Sequence, residues 1–346
     1  MRIALLLAGC GHVGRRFVQL LDESRPALDA LDVHPVVVGV VTGRHGGVFD
    51  SAGLDACKAA QILAGRGAVM ADATPSTLEW IARLRSQDVE ARVLIETTPL
   101  DIRSGEPAIT HVRAAFAAGA HVVTANKGPA AWAYRALAAE ARAAGVSFLC
   151  EGAVLDGIPL LSLVRETLPC ADVRGFRGVV NSTTNYILSA LEQGEPFDGA
   201  LARMQAEGIA EADASLDVDG WDAAAKTAVL ANVLLDAGIT PLDVPRQGIG
   251  PDTAAAVAAA RSRDRRLKQV ARAALRDGRL DAAVELQRLA PGDPLAILDG
   301  QANAVELDTW PAGRIVITQR DGGLEKTAYA LLADLVTVAR RVRAGA

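Results

Sequence analysis

The first fourteen residues restrict the fold more than any other stretch. Residues 1–7 form a short apolar strand pattern, Gly9-Cys10-Gly11-His12-Val13-Gly14 follows, and a helical pattern runs on through Leu21. Strand, Gly-x-Gly-x-x-Gly and helix in that order is what a dinucleotide-binding unit requires. Gly9 permits the tight turn, Gly11 lets the backbone approach a pyrophosphate, and Gly14 lets helix and strand pack closely. The pyrophosphate then meets the amides of the helix N-terminus. His12 and Val13 line the loop and are counted with the glycines as cofactor contacts.

The chain continues as alternating strands and helices. Residues 36–41 are near-continuously apolar, as in a parallel sheet covered on both faces. They run into Thr42-Gly43-Arg44-His45 rather than the acid that usually holds ribose hydroxyls. Arg44 is therefore either a 2′-phosphate contact, favouring NADP, or a solvated loop arginine. Residues 46–67 read as irregular apart from a helix around 54–64, and 76–85 as a helix. A strand over 92–95 ends in Glu96-Thr97-Thr98-Pro99, and one over 121–123 ends in Thr124-Ala125-Asn126-Lys127. Ligands bind outside the carboxyl ends of such strands, which marks Thr97 and Thr98 as cofactor contacts and Lys127 as a candidate cation. A strand over 147–150 closes a pattern that predicts a doubly wound parallel sheet.

Gly- and Pro-punctuated residues 151–159 mark the exit from this domain. The expected division is a dinucleotide-binding domain over 1–150, completed by a C-terminal helix within 324–346, and an α+β domain over 151–323. In the second, 176–180, 282–289, 304–307 and 314–318 read as strands, and a helix over 186–192 follows Asn181-Ser182-Thr183-Thr184-Asn185. Those short polar side chains either cap that helix or contact a ligand.

Residues 207–230 read EGIAEADASLDVDGWDAAAKTAVL. Glu211, Asp213, Asp217, Asp219 and Asp222 precede a single Lys226 in an alanine-rich helical run. Asp222 and Lys226 are four apart, so on a helix they share a face. One reading is an acidic cluster favoured by the helix dipole, with an ordinary ion pair. The other is an active site: carboxylates grip a substrate ammonium, and Lys226 moves a proton. A free lysine has a pKa near ~10.4, so the second reading needs burial or a cationic neighbour to lower it.

Composition excludes several classes. The net charge of −5 and pI near 5.6 argue against nucleic acid or an anionic membrane as partner. No apolar run approaches the ~18 residues a membrane span needs, and the start does not read as a signal peptide. Cys10, Cys57, Cys150 and Cys170 lack metal-ligand spacing, as expected of reduced thiols in a cytoplasmic protein.

Taken together, these motifs resemble the homoserine dehydrogenase family over essentially the whole chain. The carriers are Gly9-x-Gly11-x-x-Gly14, Thr124-Ala125-Asn126-Lys127, Glu151 with Gly157-Ile158-Pro159, and Asn181 to Leu188. The most specific is Glu211-x-Asp213 followed by Gly220-x-Asp222-x-x-x-Lys226. The resemblance implies NAD(P)-dependent interconversion of L-homoserine and L-aspartate 4-semialdehyde, in threonine and methionine biosynthesis. It implies Lys226 as proton carrier beside Asp222, and Glu211, Asp217, Asp222, Thr183 and Lys127 at the substrate. Thr97, Thr98, Ala125, Lys127 and Gly323 would lie at the cofactor; like-charge repulsion from Lys127, if it is close, would help depress the Lys226 pKa. Backbone groups of Glu151, Val154, Asp156 and Ile158 would hold a sodium ion, and the protein would be a homodimer built across the second-domain sheet.

Some positions depart from the common family pattern. Val154-Leu155-Asp156-Gly157 replaces Val-Gly-Ala-Gly, Ser182 replaces a glycine, Ile209 a tyrosine, and Asp321-Gly322-Gly323 a Gly-Ala-Gly turn. The chain ends at Ala346, so no appended regulatory domain is expected. The alternatives are a related oxidoreductase for another small amino or hydroxy substrate and a catalytically inactive NADP-binding sensor.

Overall fold

The computed structural model describes residues 1–58, 76–206 and 214–345. They divide into two compact units, Met1–Gly157 with Leu324–Ala346, and Ile158–Gly323. Glu211 and Asp213 lie outside the described residues, as does the expected helix over 54–64 from residue 59 onward.

The first unit holds β1 (Arg2–Ala8), β2 (His34–Thr42), β3 (Gly46–Phe49), β4 (Ala91–Glu96), β5 (His121–Thr124) and β6 (Phe148–Leu149). Their order is β3-β2-β1-β4-β5-β6. Every pairing is parallel except β2 with β3, a hairpin that places Gly46 opposite Thr42. β3 corrects the expectation of irregular chain from residue 46. Its Gly-Gly start hides the strand, because glycine weakens strand patterning. The Thr42 hydroxyl makes the turn, accepting the His45 N–H at 3.0 Å and donating to the Gly46 carbonyl at 3.3 Å. The helix expected over 76–85 is α-helical only over Thr77–Ala82 and tightens into a 3₁₀ turn over Arg83–Ser86.

Alternation along β1 builds both layers. Ile3, Leu5 and Leu7 pack with Phe17, Val18 and Leu21 of the helix His12–Glu23 and with Leu331, Leu335 and Val338 of the C-terminal helix Leu324–Ala344. Ala4 and Leu6 pack on the other face with Ile81, Val112, Phe116 and Leu137. Arg16 ties the first and last helices, bonding Glu23 at 2.7 Å and Glu325 at 2.7 Å.

In the second unit β7 (Asp172–Val179), β8 (Arg266–Arg276), β9 (Arg279–Leu289), β10 (Asn303–Trp310) and β11 (Gly313–Gln319) form an antiparallel sheet. The order is β11-β10-β7-β8-β9. β8 has no counterpart in the sequence reading, because its charges at Arg266, Lys268 and Arg272 mask the period of two. Those charges share one face and find partners there. Arg272 meets Asp281 at 2.6 Å and Glu285 at 2.8 Å. Lys268, fully buried, donates to Asn185 Oδ1 at 2.9 Å and to the Leu298 carbonyl. The helix Trp221–Leu235 packs its alanine-rich run on β8 and β9. The helix expected over 186–192 spans Ser182–Glu192, because Asn181 rather than a later residue caps it.

His121 sets an acid limit on the first unit. Burial, and then the Arg341 guanidinium, push its pKa down to about 4. Its Nδ1 accepts the Ser147 N–H at 2.9 Å. A base whose folded pKa is depressed loses stability as pH falls from the free-histidine range through the folded value, at about 1.4 kcal/mol per pH unit. His121→Asn should flatten the fall in melting temperature between about pH 6.5 and about pH 4; a melting curve with unchanged pH dependence would assign the acid limit elsewhere.

Candidate active site

The glycine loop owes its shape to the end of β4. Gly9 has φ +91°, and a Cβ there would lie 2.6 Å from the Thr97 carbonyl carbon. Only glycine tolerates both conditions. Gly14 faces the Gly9 carbonyl and Thr97 Oγ1, each 3.0 Å from where its Cβ would be, so its contact is with loop and strand end. A Cβ at Gly11 would meet nothing within 4 Å. That open space beside the first amides of the helix His12–Glu23 fits a dinucleotide pyrophosphate. His12 is exposed and Val13 half-buried on this first turn.

Thr97 and Thr98 have structural partners. Thr97 Oγ1 donates to the Gly9 carbonyl at 3.1 Å. Thr98 gives its N–H to Glu96 Oε1 at 3.0 Å and its hydroxyl to the same oxygen. Thr124 Oγ1 donates to Glu96 Oε2 at 2.9 Å. Glu96 is fully buried, and a buried carboxyl group is tolerated only when such donors hydrogen-bond it. Asn126 extends the network: its Nδ2 donates to the Thr98 carbonyl at 3.0 Å, while its Oδ1 caps the Lys127 helix through the Gly128 N–H at 2.9 Å. Lys127 and Ala125 are half-buried at this strand end. Glu96 and Asn126 escaped the sequence reading; the signal for Glu96 was an acid directly after a buried apolar strand. Arg44, on the β2–β3 turn, is exposed and pairs with no carboxylate among the described residues.

In the second unit the lysine and two of the expected carboxylates come together. Gly220, at φ +79°, caps the helix Trp221–Leu235 and separates it from the one-turn helix Ser215–Val218. Asp217 and Asp222 thus leave different helices. Lys226 Nζ lies 2.9 Å from Asp222 Oδ2 and 2.7 Å from the Val180 carbonyl. Both side chains are about six-sevenths buried, with 14% and 15% exposed. Asn181 Nδ2 donates to Asp217 Oδ1 at 2.7 Å and Asp222 Oδ2 at 2.9 Å. Burial raises the Asp217 pKa and the Asp222 charge raises it further, against the pull of Asn181, Lys226 and Thr183. Thr183 is buried on the helix Ser182–Glu192, its hydroxyl bonded to Asp217. Ser182 Oγ instead accepts from Asn303 Nδ2 at 2.8 Å.

Other expected contacts lie elsewhere. Gly323 sits at φ +123° with open space around it. In the 151–158 turn, Leu155 and Asp156 are left-handed at φ +58° and +52°. The Glu151 N–H donates to the buried Asp334 of the C-terminal helix at 2.9 Å, a contact not anticipated from sequence. The Glu151 carbonyl accepts the Val154 N–H at 3.3 Å, and the Ile158 carbonyl the Leu160 N–H at 2.8 Å.

A glycine-loop pyrophosphate cradle at the end of β1 in a parallel sheet defines a dinucleotide-binding protein. Comparison narrows the class. The family model for the homoserine dehydrogenase NAD-binding domain matches residues 9–151, and that for homoserine dehydrogenase matches 159–336. The NAD(+)-dependent homoserine dehydrogenase of Pseudomonas canavaninivorans is 36% identical over 96% of this chain and 95% of its own. The homoserine dehydrogenase of Methanocaldococcus jannaschii is 32% identical over 96% and 98%. The solved homoserine dehydrogenase of Thiobacillus denitrificans superposes with a TM-score of 0.82 at 29% identity, covering 99% of this chain and 74% of that one. The chain belongs to the homoserine dehydrogenase family.

Asp217 offers a direct test of the electrostatics. A carboxyl whose folded pKa is raised favours the fold when protonated and loses that contribution as pH rises through the folded value. Asp217→Asn should therefore gain melting temperature relative to wild type as pH rises from about 4 to about 7, while homoserine turnover falls. A deficit that widens with pH would mean that the hydrogen bonds to the carboxylate outweigh its burial.

Proposed function

We propose that this protein interconverts L-homoserine and L-aspartate 4-semialdehyde, with Lys226 carrying the proton. The observation that carries the reading is Lys226 Nζ held at 2.9 Å from Asp222 and 2.7 Å from the Val180 carbonyl in a largely buried site. A dinucleotide, when bound, accepts or returns the hydride. It would be held by Gly9, Gly11, His12, Val13 and Gly14, with Thr97, Thr98, Ala125 and Gly323 as further contacts. Neutral Lys226 takes the homoserine hydroxyl proton during oxidation, and its ammonium returns a proton to the oxygen during reduction. Asp217 and Glu211 grip the substrate ammonium by charge-assisted hydrogen bonds. Asp222, bonded to both Lys226 and Asn181, orients the lysine as well as adding charge to the grip. Thr183 and Lys127 complete the substrate contacts.

The exposed Arg44, which pairs with no carboxylate among the described residues, supports a 2′-phosphate contact and so a preference for NADP, in contrast to the NAD(+)-dependent Pseudomonas relative. A sodium ion on the carbonyls of Glu151, Val154, Asp156 and Ile158 is proposed with it. No step of the reaction uses that ion. A cytoplasmic homodimer completes the reading; exposed Trp310 and Val316 at the β10–β11 end are apolar surface a second copy would cover.

Lys226→Ala should keep dinucleotide binding and lower homoserine turnover by roughly 10²–10⁴ in steady-state assays. Turnover near wild type would remove Lys226 from the reaction. Arg44→Ala should raise the KM for NADP by about tenfold or more and leave that for NAD nearly unchanged, as loss of a charge-assisted phosphate contact requires. Equal changes for both would return Arg44 to the solvent.

A further inference from the structure

The end of β7 touches every ionised group described in the lysine site. Val180 offers its carbonyl to Lys226 at 2.7 Å. The next residue, Asn181, is 3% exposed and uses every polar group of its side chain. Its Nδ2 gives one hydrogen to Asp217 at 2.7 Å and the other to Asp222 at 2.9 Å, and its Oδ1 takes the Thr184 N–H at 2.8 Å. The partners fix which end of the amide is which: ionised carboxylates only accept, and a backbone N–H only donates. One side chain thus caps the helix bearing Thr183 and bridges two carboxylates that would otherwise repel.

We infer that Asn181 is the positioning residue of this site, its amide bridge holding Asp217 and Asp222 together and, through Asp222, aiming Lys226. The inference rests on the dehydrogenase reading for its kinetic consequences but not for the bridge itself. Without the amide N–H groups the carboxylates lose the donor that bridges them. Asp222 is then free to move with Lys226, and Asp217 is left more costly to ionise.

Two substitutions separate the bridge from the cap. Serine is a good helix cap but too short to reach the carboxylates, and aspartate keeps the cap while replacing the donor with a third negative charge. For Asn181→Ser, kcat for homoserine should fall by about thirtyfold or more with dinucleotide affinity unchanged, because misplaced proton transfer loses rate of this order. Its melting temperature should fall further below wild type as pH rises from about 4 to about 7, since the bare carboxylates then ionise against each other. Asn181→Asp should show the same trend, and the acid limb of its kcat profile for homoserine oxidation should move to higher pH because added negative charge favours the lysine ammonium.

A melting deficit constant with pH in both variants, or wild-type kcat in Asn181→Ser, would overturn the bridge. So would loss of dinucleotide affinity in parallel with kcat, which marks a general folding defect. A wild-type protein inactive on homoserine would sink the dehydrogenase reading instead, leaving the pH-dependent melting to judge Asn181.

Discussion

A charged lysine removed from water must be paid for, and most of the second unit's local design answers that demand. An ammonium loses several kcal/mol of hydration on burial unless partners replace the water. Here Asp222 and the Val180 carbonyl do so. Asp222 sits one helical turn before Lys226, which needs only the spacing of an α-helix. The carbonyl arrives from a different element, so β7 must end beside the helix Trp221–Leu235. Alanines on that helix allow the close approach: Ala223, Ala224, Ala225 and Ala228 are all buried.

The cofactor unit is governed by a second close approach, that of Gly9 to Thr97. No side chain fits between them, and the Thr97 hydroxyl fastens the loop from the far side. Behind it, Glu96 gathers the donors of two strand ends around one buried carboxylate, and Asn126 carries the same network to the cap of the next helix. The loops that would face a dinucleotide are thereby set by a polar core of their own. Residues that look like ligand contacts in the sequence, Thr97 and Thr98 above all, already have structural duties. The two roles are compatible, since backbone groups of the same loop remain to meet a cofactor.

Charge is also the organising theme of the sheet in the second unit. Arg177 joins Asp293 at 2.7 Å and Glu306 at 2.9 Å, and Arg272 joins Asp281 and Glu285 across neighbouring strands. Cross-strand pairs of opposite sign stabilise such a face only modestly in water but fix register where several meet. Lys268 lies beneath, with its pKa lowered to about 8 by burial and by Arg266. Its bond to Asn185 ties the sheet to the helix Ser182–Glu192, the one that carries Thr183, and its bond to the Leu298 carbonyl ties it to the segment before β10.

Local patterns in the chain were enough for the glycine loop, the apolar strands β1, β2, β4 and β5, and the Asp222–Lys226 pair, because each depends on neighbours within a turn or two. The resemblance in motif order then reached the family. Other features depend on partners far away in sequence. β8 reads as charged chain until β9 and the helix Ser182–Glu192 supply opposite charges. Asn181 reads as a helix cap or a ligand contact until Asp217 and Asp222 arrive, 36 and 41 residues later. Glu96 is a strand-end acid with no assigned role until Thr124 closes over it. A buried polar group is legible only with its partners, and those partners are assembled by packing, not by adjacency.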